Sequence, residues 1–226
     1  MKKISGDLQI NYWGEKNSHL LSMKGKAVSN ENFQSALNFS RSMEEFYHTK
    51  YGGNGVGGLA ACQIAQNIDD VLSLILLNEF GHVRVLANPQ IIKQSTLNVI
   101  GRIGCFSAAN GEKALQAVPQ WMQVQYLDLK TQKVECIQLN YPVTNIAWHE
   151  MTHLRGASYE EDMLPGTRLV TQNEFEKLNA HTDEEKFKLL LGTHPLSAVY
   201  TSGEVVYSTK TIERFILDGL ELEISK

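Results

Sequence analysis

The chain has 226 residues, of which 42% are hydrophobic and 20% are charged, and its formal net charge is −4. These values are typical of a globular protein with a sizeable core, and they exclude the basic footprint of a nucleic-acid-binding protein. The longest apolar run, 71–77, is too short to span a bilayer, and no apolar run follows the first lysines. We therefore expect neither a membrane anchor nor a secretory signal. Three cysteines, an odd and sparse set, favour a reducing compartment, and we expect the cytoplasm.

The first half of the chain is predicted to form one long helix followed by strands. Ser29 and Asn30 can cap a helix that runs to about Lys50. The next segment, 51–58, carries five glycines and cannot be helical, so we expect tight turns or a close backbone approach to a ligand. Content of β-branched and aromatic residues predicts strands, with a turn at Asn88–Pro89, over 71–78, 82–87, 90–100, 121–129 and 133–139.

The second half begins with another predicted helix. Pro142 favours its start and Gly156 its end. Further on, Thr171–Glu174 and Thr182–Glu185 match the pattern of a capping box, and Gly203 between two short apolar runs predicts a hairpin. The order of helix, strands and helix indicates an α+β fold with antiparallel or mixed sheets.

The strongest chemical signal is the pentapeptide 149–153, His-Glu-Met-Thr-His. Residues four apart lie on one face of a helix, so His149 and His153 can reach a single metal ion. Glu150 is offset enough to bring its carboxylate beside a water on that ion and to carry its proton. The pattern fixes only three positions, so chance occurrence is the competing interpretation.

A catalytic site of this kind needs a third protein ligand. Tyr159 stands where an extended metzincin motif would place a third histidine, so that pattern is excluded. Glu160, Glu161 and Asp162 are candidate carboxylate ligands, and Cys105 is a candidate thiolate. From the residues alone, a lone cysteine is more often part of the core, and the choice stays open.

Three segments resemble, in order and spacing, the three motifs of the peptide deformylase family. Residues 58–63 (GLAACQ) resemble its GxGLAAxQ motif, 104–107 (GCFS) resemble EGCLS, and 149–153 resemble HExDH. The resemblance covers roughly residues 5–165, and it implies a deformylase-like α+β domain over 1–165 built around the metal-binding helix. An extension over 166–226 is then expected to pack on or near that domain.

This resemblance also implies roles for individual residues. Cys105, His149 and His153 would hold one divalent metal ion, with ferrous iron the first expectation and zinc, nickel or cobalt as alternatives. Glu150 would be the general base and then the acid. Gln63 and the backbone N–H of Phe106 would bind the formyl oxygen. Substrate-binding positions would be Val56, Gly57, Gly58, Leu59, Gly104, Asn145 and Ile146.

The implied reaction is removal of the formyl group from an N-formylmethionyl peptide. The ribosome is a candidate place of action. The oligomeric state stays open between a monomer and a dimer. The chain departs from the family pattern at Ile103 (usually Glu), Trp148 (usually Gln) and Thr152 (usually Asp). Asn145 is expected to make the methionine pocket more polar. These departures keep two alternatives open: a metallohydrolase that has drifted to another N-acyl or peptide substrate, and a non-catalytic binding protein. The other cysteines, Cys62 and Cys136, are expected to be core residues.

Overall fold

The computed structural model describes residues 8–52, 55–96, 98–164, 167–177, 185 and 189–191, and the backbone of two strands at 212–217 and 220–225. The helices in this part of the chain are α1 (Ser18–Leu21), α2 (Phe33–Tyr51), α3 (Val143–Leu154) and α4 (Gln172–Lys177). The strands are β1 (Val56–Ala60), β2 (Leu74–Glu79), β3 (His82–Gln94), β4 (Asn98–Gly104), β5 (Lys113–Pro119), β6 (Trp121–Asp128), β7 (Lys133–Asn140), β8 (Ile212–Leu217) and β9 (Leu220–Ser225).

Two antiparallel sheets flank the helix α3. The larger sheet has five strands in the order β1-β2-β3-β6-β7, and β4 and β5 form a separate two-stranded sheet. Helix α3 contacts β1 and β2 on one side and β4 and β5 on the other. The predicted α+β fold with antiparallel sheets around this helix is confirmed.

The central strand β2 explains why the larger sheet is covered on both faces. Its first five residues are all buried. Because side chains alternate along a strand, Ile75 and Leu77 face α3 while Leu74 and Leu76 pack with Phe39 of α2. A strand that is buried on both faces has a continuous apolar sequence, and the sequence of β2 shows this pattern.

Asn88 and Pro89 do not form the predicted turn between strands. They lie inside one continuous strand, β3, at a shift in its register with β6. Asn88 adopts a positive φ of 51°, and its side chain accepts from Val28 N and donates to Val28 O. Proline lacks an N–H group, and an irregular position in a ladder tolerates that loss. The local residues therefore indicate a break, but the strand continues through a bulge.

The expected strand 90–100 in fact combines parts of two strands, the end of β3 and the start of β4. Two further strands, β1 and β5, were not predicted as strands, because β1 is rich in glycine and β5 follows a polar turn. The strands expected at 121–129 and 133–139 are confirmed as β6 and β7.

Cys136 is exposed, so the prediction that it belongs to the core is wrong. It lies on β7, the edge strand of the larger sheet, where nearly every residue has some exposure. Cys62, by contrast, is buried in the main core as expected. Cys62 lies in a short 3-10 turn directly after β1, packed against the core, whereas Cys136 lies on an edge strand.

Part of the region beyond residue 166 packs close to the small sheet. The capping box at Thr171 is confirmed, since Thr171 N donates to Glu174 Oε2 at 2.7 Å and Glu174 N donates to Thr171 Oγ1 at 3.2 Å. Leu190 and Leu191 are buried with Leu115 of β5, and β8 lies beside β4. The patterns at 182–185 and around Gly203 fall wholly or mostly outside the described residues, and the domain boundary at 165/166 stays a prediction. Among the described residues, no helix is both long and apolar enough to cross a bilayer.

We expect Gly58→Ala to destabilise the protein because α3 leaves no room for a side chain there. A Cβ at position 58 would lie 2.6 Å from Ile146 Cγ2 and 2.8 Å from Glu150 Cγ. Overpacking of this kind typically costs about 1–3 kcal/mol of unfolding free energy. The matched control is Gly104→Ala, whose Cβ would meet only the flexible end of Lys113. Urea unfolding of both variants checks this, and equal stabilities would contradict it.

Candidate metal centre

Helix α3 and the end of β4 bring the predicted metal ligands together. His149 and His153 lie one turn apart on α3, and Cys105 immediately follows β4. One side-chain donor atom from each of these three residues lies within 4.8 Å of the others. Cys105 Sγ and His153 Nε2 are 3.2 Å apart. This spacing fits a single ion held by one thiolate and two imidazoles.

Burial controls the protonation of this cluster. It lowers the pKa of His149 well below its ordinary value, lowers that of His153 to about 4, and raises that of Cys105 to about 12. Both imidazoles are therefore neutral at pH 7, as metal ligands must be, whereas the thiol has to lose a proton. A divalent cation would supply the positive charge that stabilises the thiolate. The donor set thus fits a metal ion, and ion binding is expected to release a proton.

Glu150 lies beside the cluster on the same helix and is almost completely buried. Burial raises its pKa well above the ordinary value for a glutamate. Its Oε2 atom has no hydrogen-bond partner among the described residues. A buried carboxylate oxygen without a protein partner is costly, which fits a group that exchanges a proton with a small molecule at this site.

Gln63 is held on the other side of the cluster. Its Oε1 accepts from Ala60 N at 2.8 Å, which points the amide nitrogen inward. Gln63 Nε2 lies 3.5 Å from Cys105 Sγ and 3.4 Å from Ser107 Oγ. Phe106 lies between those two residues in the chain, so its backbone and the Gln63 amide border the same space.

The expected substrate-binding positions fall on three elements around the cluster. Val56, Gly57, Gly58 and Leu59 belong to β1, an edge strand of the larger sheet, although the Leu59 side chain points into the core. Gly104 ends β4. Ile146 on α3 contacts the apolar residues around Cys105 and lies against Gly58. Two strand ends and one helix face therefore converge beside the metal ligands.

The amide of Asn145, which was expected to make the methionine pocket more polar, is hydrogen-bonded to the small sheet. Its Nδ2 donates to Arg102 O at 3.0 Å, and its Oδ1 accepts from Gln116 Nε2 at 2.9 Å. The same oxygen lies where a Cβ of Gly101 would stand. The local sequence did not reveal these partners because they lie on β4 and β5, remote from Asn145 in the chain. The amide joins α3 to the small sheet.

The carboxylates after α3 are not close enough to be ligands. Glu160 and Glu161 are exposed, and they do not belong to the metal-ligand cluster of the described residues. Asp162 instead contacts the hydroxyl of Thr152, and Arg155 Nη2 lies 3.2 Å from Asp162 Oδ2 and 3.0 Å from Thr152 Oγ1. The Asp162 carboxylate therefore contacts Thr152, the residue directly before His153. At the position of Thr152, the family motif has an aspartate within the helix.

Two further side chains at the site were not anticipated. Trp13 stacks on His153, with ring centroids 6.5 Å apart and an interplanar angle of 22°. The end of Lys113 lies over Gly104. No local motif marks either residue, because both reach the cluster only through the tertiary fold.

A buried cluster of one cysteine and two histidines, with a glutamate on the same helix, fits a metal-dependent hydrolase of α+β fold. The family model described as polypeptide deformylase matches residues 8–168. Because that match spans most of the chain, the chain belongs to the peptide deformylase family, whose members are metal-dependent hydrolases.

Individual relatives agree with this assignment. A peptide deformylase from Buchnera aphidicola is 28% identical over 175 residues, which cover 76% of this chain and 92% of the relative. Among solved structures, a class I type b peptide deformylase from Acinetobacter baumannii with bound Met-Ala-Ser has a TM-score of 0.59 and 21% identity, covering 71% of this chain and all of that one. Peptide deformylase 1B from Arabidopsis thaliana has a TM-score of 0.56 and 24% identity, covering 83% and 97%. The two structures support the fold.

Cys105→Ala should abolish tight metal binding, because two imidazoles alone leave the site one ligand short. Metal content per chain after dialysis is the measurement, and the parent should hold about one divalent ion. Cys136→Ala is the matched control, since this cysteine is exposed and remote from the cluster. If Cys105→Ala retains as much metal as the parent, another residue is the third ligand.

Asn145→Ile should lower stability by about 1–3 kcal/mol, because it removes buried hydrogen bonds to β4 and β5 and places a branched side chain against Gly101. Asn140→Ala, at an exposed position of β7, should change stability little. Urea unfolding compares the two variants. A stable Asn145→Ile protein with improved turnover of formyl-Met peptides would restore the idea that this amide faces the substrate.

Proposed function

We propose that this chain removes the formyl group from N-formylmethionine termini of nascent peptides, which releases formate and leaves a free amine. The observation that carries the proposal is the convergence of Glu150, Gln63 and the Cys–His–His cluster in one buried space. Hydrolysis of an amide needs an activated water, stabilisation of the developing oxyanion and a proton for the departing nitrogen. These residues supply the protein groups for each requirement.

Cys105, His149 and His153 are proposed to hold the metal ion. A bound divalent ion supplies a nucleophile at neutral pH by lowering the pKa of water from about 15.7 to about 7. We propose ferrous iron, with zinc, nickel and cobalt as alternatives, since a site with one thiolate and two imidazoles accepts each of these metals.

Gln63 and the Phe106 backbone N–H are proposed to bind the formyl oxygen. Gln63 is oriented for this task because its own carbonyl is engaged by Ala60 N, which leaves the amide N–H groups facing the cluster. Fixed donors aimed at a developing oxyanion contribute a few kcal/mol each, about 2.7–4 kcal/mol where one has been removed by mutation.

Glu150 is proposed to take a proton from the attacking water and to deliver it to the amine nitrogen as the C–N bond breaks. A carboxylate with an ordinary pKa is too weak a base at pH 7. Burial raises the pKa of Glu150, which makes its carboxylate a stronger base for this proton transfer.

The peptide is proposed to bind in an extended form along β1. As an edge strand, β1 offers backbone groups of Val56, Gly57 and Gly58 for pairing. Leu59 would support this edge from the core. Gly104, Ile146 and Asn145 would border the first side chain of the substrate. The place of action is proposed to be the cytoplasm, on chains emerging from the ribosome, by a monomer or a dimer.

A second candidate function is hydrolysis of a different N-acyl or peptide substrate by the same machinery. The observation that favours it is the amide pair of Asn145 and Gln116 over Gly101, which fills space beside the metal-binding helix. We propose that this amide pair shortens the space for the substrate's first side chain and so favours a side chain shorter than methionine.

The decisive experiment measures formate release from a formyl-Met peptide by protein prepared without oxygen and loaded with iron, zinc or nickel. The parent protein should release formate from this peptide. Glu150→Ala should keep its metal, but its kcat should fall about 10²–10⁴-fold. Glu160→Ala, an exposed carboxylate after the same helix, is the matched control and should retain activity. Absence of formate with every metal, together with cleavage of another N-acyl peptide, would favour the second candidate.

A further inference from the structure

The last residue of α2 stacks directly on the residue after Cys105. The rings of Tyr51 and Phe106 have centroids 4.1 Å apart and are nearly parallel, with an interplanar angle of 13°. Both side chains are partly buried against the core that α2 forms with β2. This is the closest ring pair among the described residues, and it lies beside the metal centre.

The stack joins two segments that carry the proposed oxyanion donors. Tyr51 precedes the glycine-rich connection to β1, and Gln63 follows that strand. Phe106 follows Cys105, and its backbone borders the same space as the Gln63 amide. Gln63 is already fixed through Ala60 N. The backbone of Phe106 lies in a turn outside any helix or strand. Because no regular secondary structure fixes this amide, the contact of the side chain can orient it.

The Tyr51 ring is itself held in place by its neighbours. Phe46 contacts it edge to face at 6.3 Å, and Tyr47 contacts it at 5.4 Å with a tilt of 51°. Burial raises the pKa of Tyr51 to about 12, so the ring is a neutral phenol at pH 7. A leucine, the usual family residue at position 106, has no ring to stack, so this contact depends on the aromatic residue found in this chain.

We propose that Tyr51 is a positioning residue that orients the backbone N–H of Phe106 by stacking on its side chain. This inference rests on the proposed function, in which that N–H binds the formyl oxygen. The aromatic ring of Tyr51, and not its hydroxyl, makes the stacking contact, so Tyr51→Phe should preserve the orientation of the Phe106 N–H.

The first test is kinetic. Tyr51→Ala should lower kcat on a formyl-Met peptide roughly three- to tenfold, the range expected from loss of one aromatic pair, while KM and metal content stay within about twofold. Tyr51→Phe should restore the parent kcat. Phe33→Ala, which removes a ring at the opposite end of α2, is the matched control and should leave kcat within about twofold.

A double-mutant cycle checks that Tyr51 acts through Phe106. If it does, Phe106→Leu should reduce kcat to a similar extent, and the double variant Tyr51→Ala with Phe106→Leu should be no slower than either single variant. Additive losses, an unchanged kcat in folded Tyr51→Ala, or equal losses in Phe33→Ala would overturn the proposal.

A second readout does not depend on activity. In the zinc-loaded protein, the ¹⁵N order parameter of the Phe106 amide should fall in Tyr51→Ala, from about 0.85 towards 0.6, and stay at the parent value in Tyr51→Phe. An unchanged order parameter in Tyr51→Ala would overturn positioning even if the parent releases formate. If the order parameter falls in Tyr51→Ala although the parent releases no formate, the result would support positioning by stacking and would reject deformylation.

Discussion

The close approach of α3 to strands on both of its sides is the constraint on which the site depends. Gly58 on β1 and Gly101 on β4 lie where any side chain would collide with Ile146, Glu150 or Asn145 of the helix. Because these two positions lack a Cβ, the helix comes near enough for its histidines to meet Cys105 at the end of β4. The smaller sheet is held by the Asn145 amide, and the larger sheet by apolar packing.

That approach buries four ionisable groups together, and burial penalises the charged form of each. The pKa of Cys105 and of Glu150 rises, and the pKa of both histidines falls. Without an ion, the thiol and the two imidazoles are neutral at pH 7, and a dication would bind them with release of the thiol proton. The same low polarity strengthens hydrogen bonds to a developing oxyanion, which is what Gln63 and the Phe106 amide are proposed to provide.

Local chemistry was predictable from the sequence, and contacts between distant segments were not. The spacing of His149 and His153 fixes their geometry within one helix, so the pair could be recognised directly. Cys105 could be chosen over the carboxylates at 160–162 only through the family resemblance, because ligand identity depends on the tertiary fold. The partners of the Asn145 amide could not be predicted for the same reason, since Gln116 and Arg102 reach it from other elements.

Predictions for the strands failed at a bulge within a strand and on an edge strand of the sheet. Asn88 and Pro89 look like a turn but form a bulge in β3, and Cys136 looks like a core residue but lies on an exposed edge strand. The stack of Tyr51 on Phe106 and the contact of Asp162 with Thr152 have no sequence signature at all. Both bear on how well this divergent member supports its site, and both became visible only in the fold.

The most direct test of this account is X-ray absorption spectroscopy of the zinc-loaded parent protein. The account predicts a metal shell with one sulfur at about 2.3 Å and two imidazole nitrogens at about 2.0–2.1 Å. A shell made only of nitrogen and oxygen ligands would show that Cys105 does not bind the metal, and it would contradict the central claim.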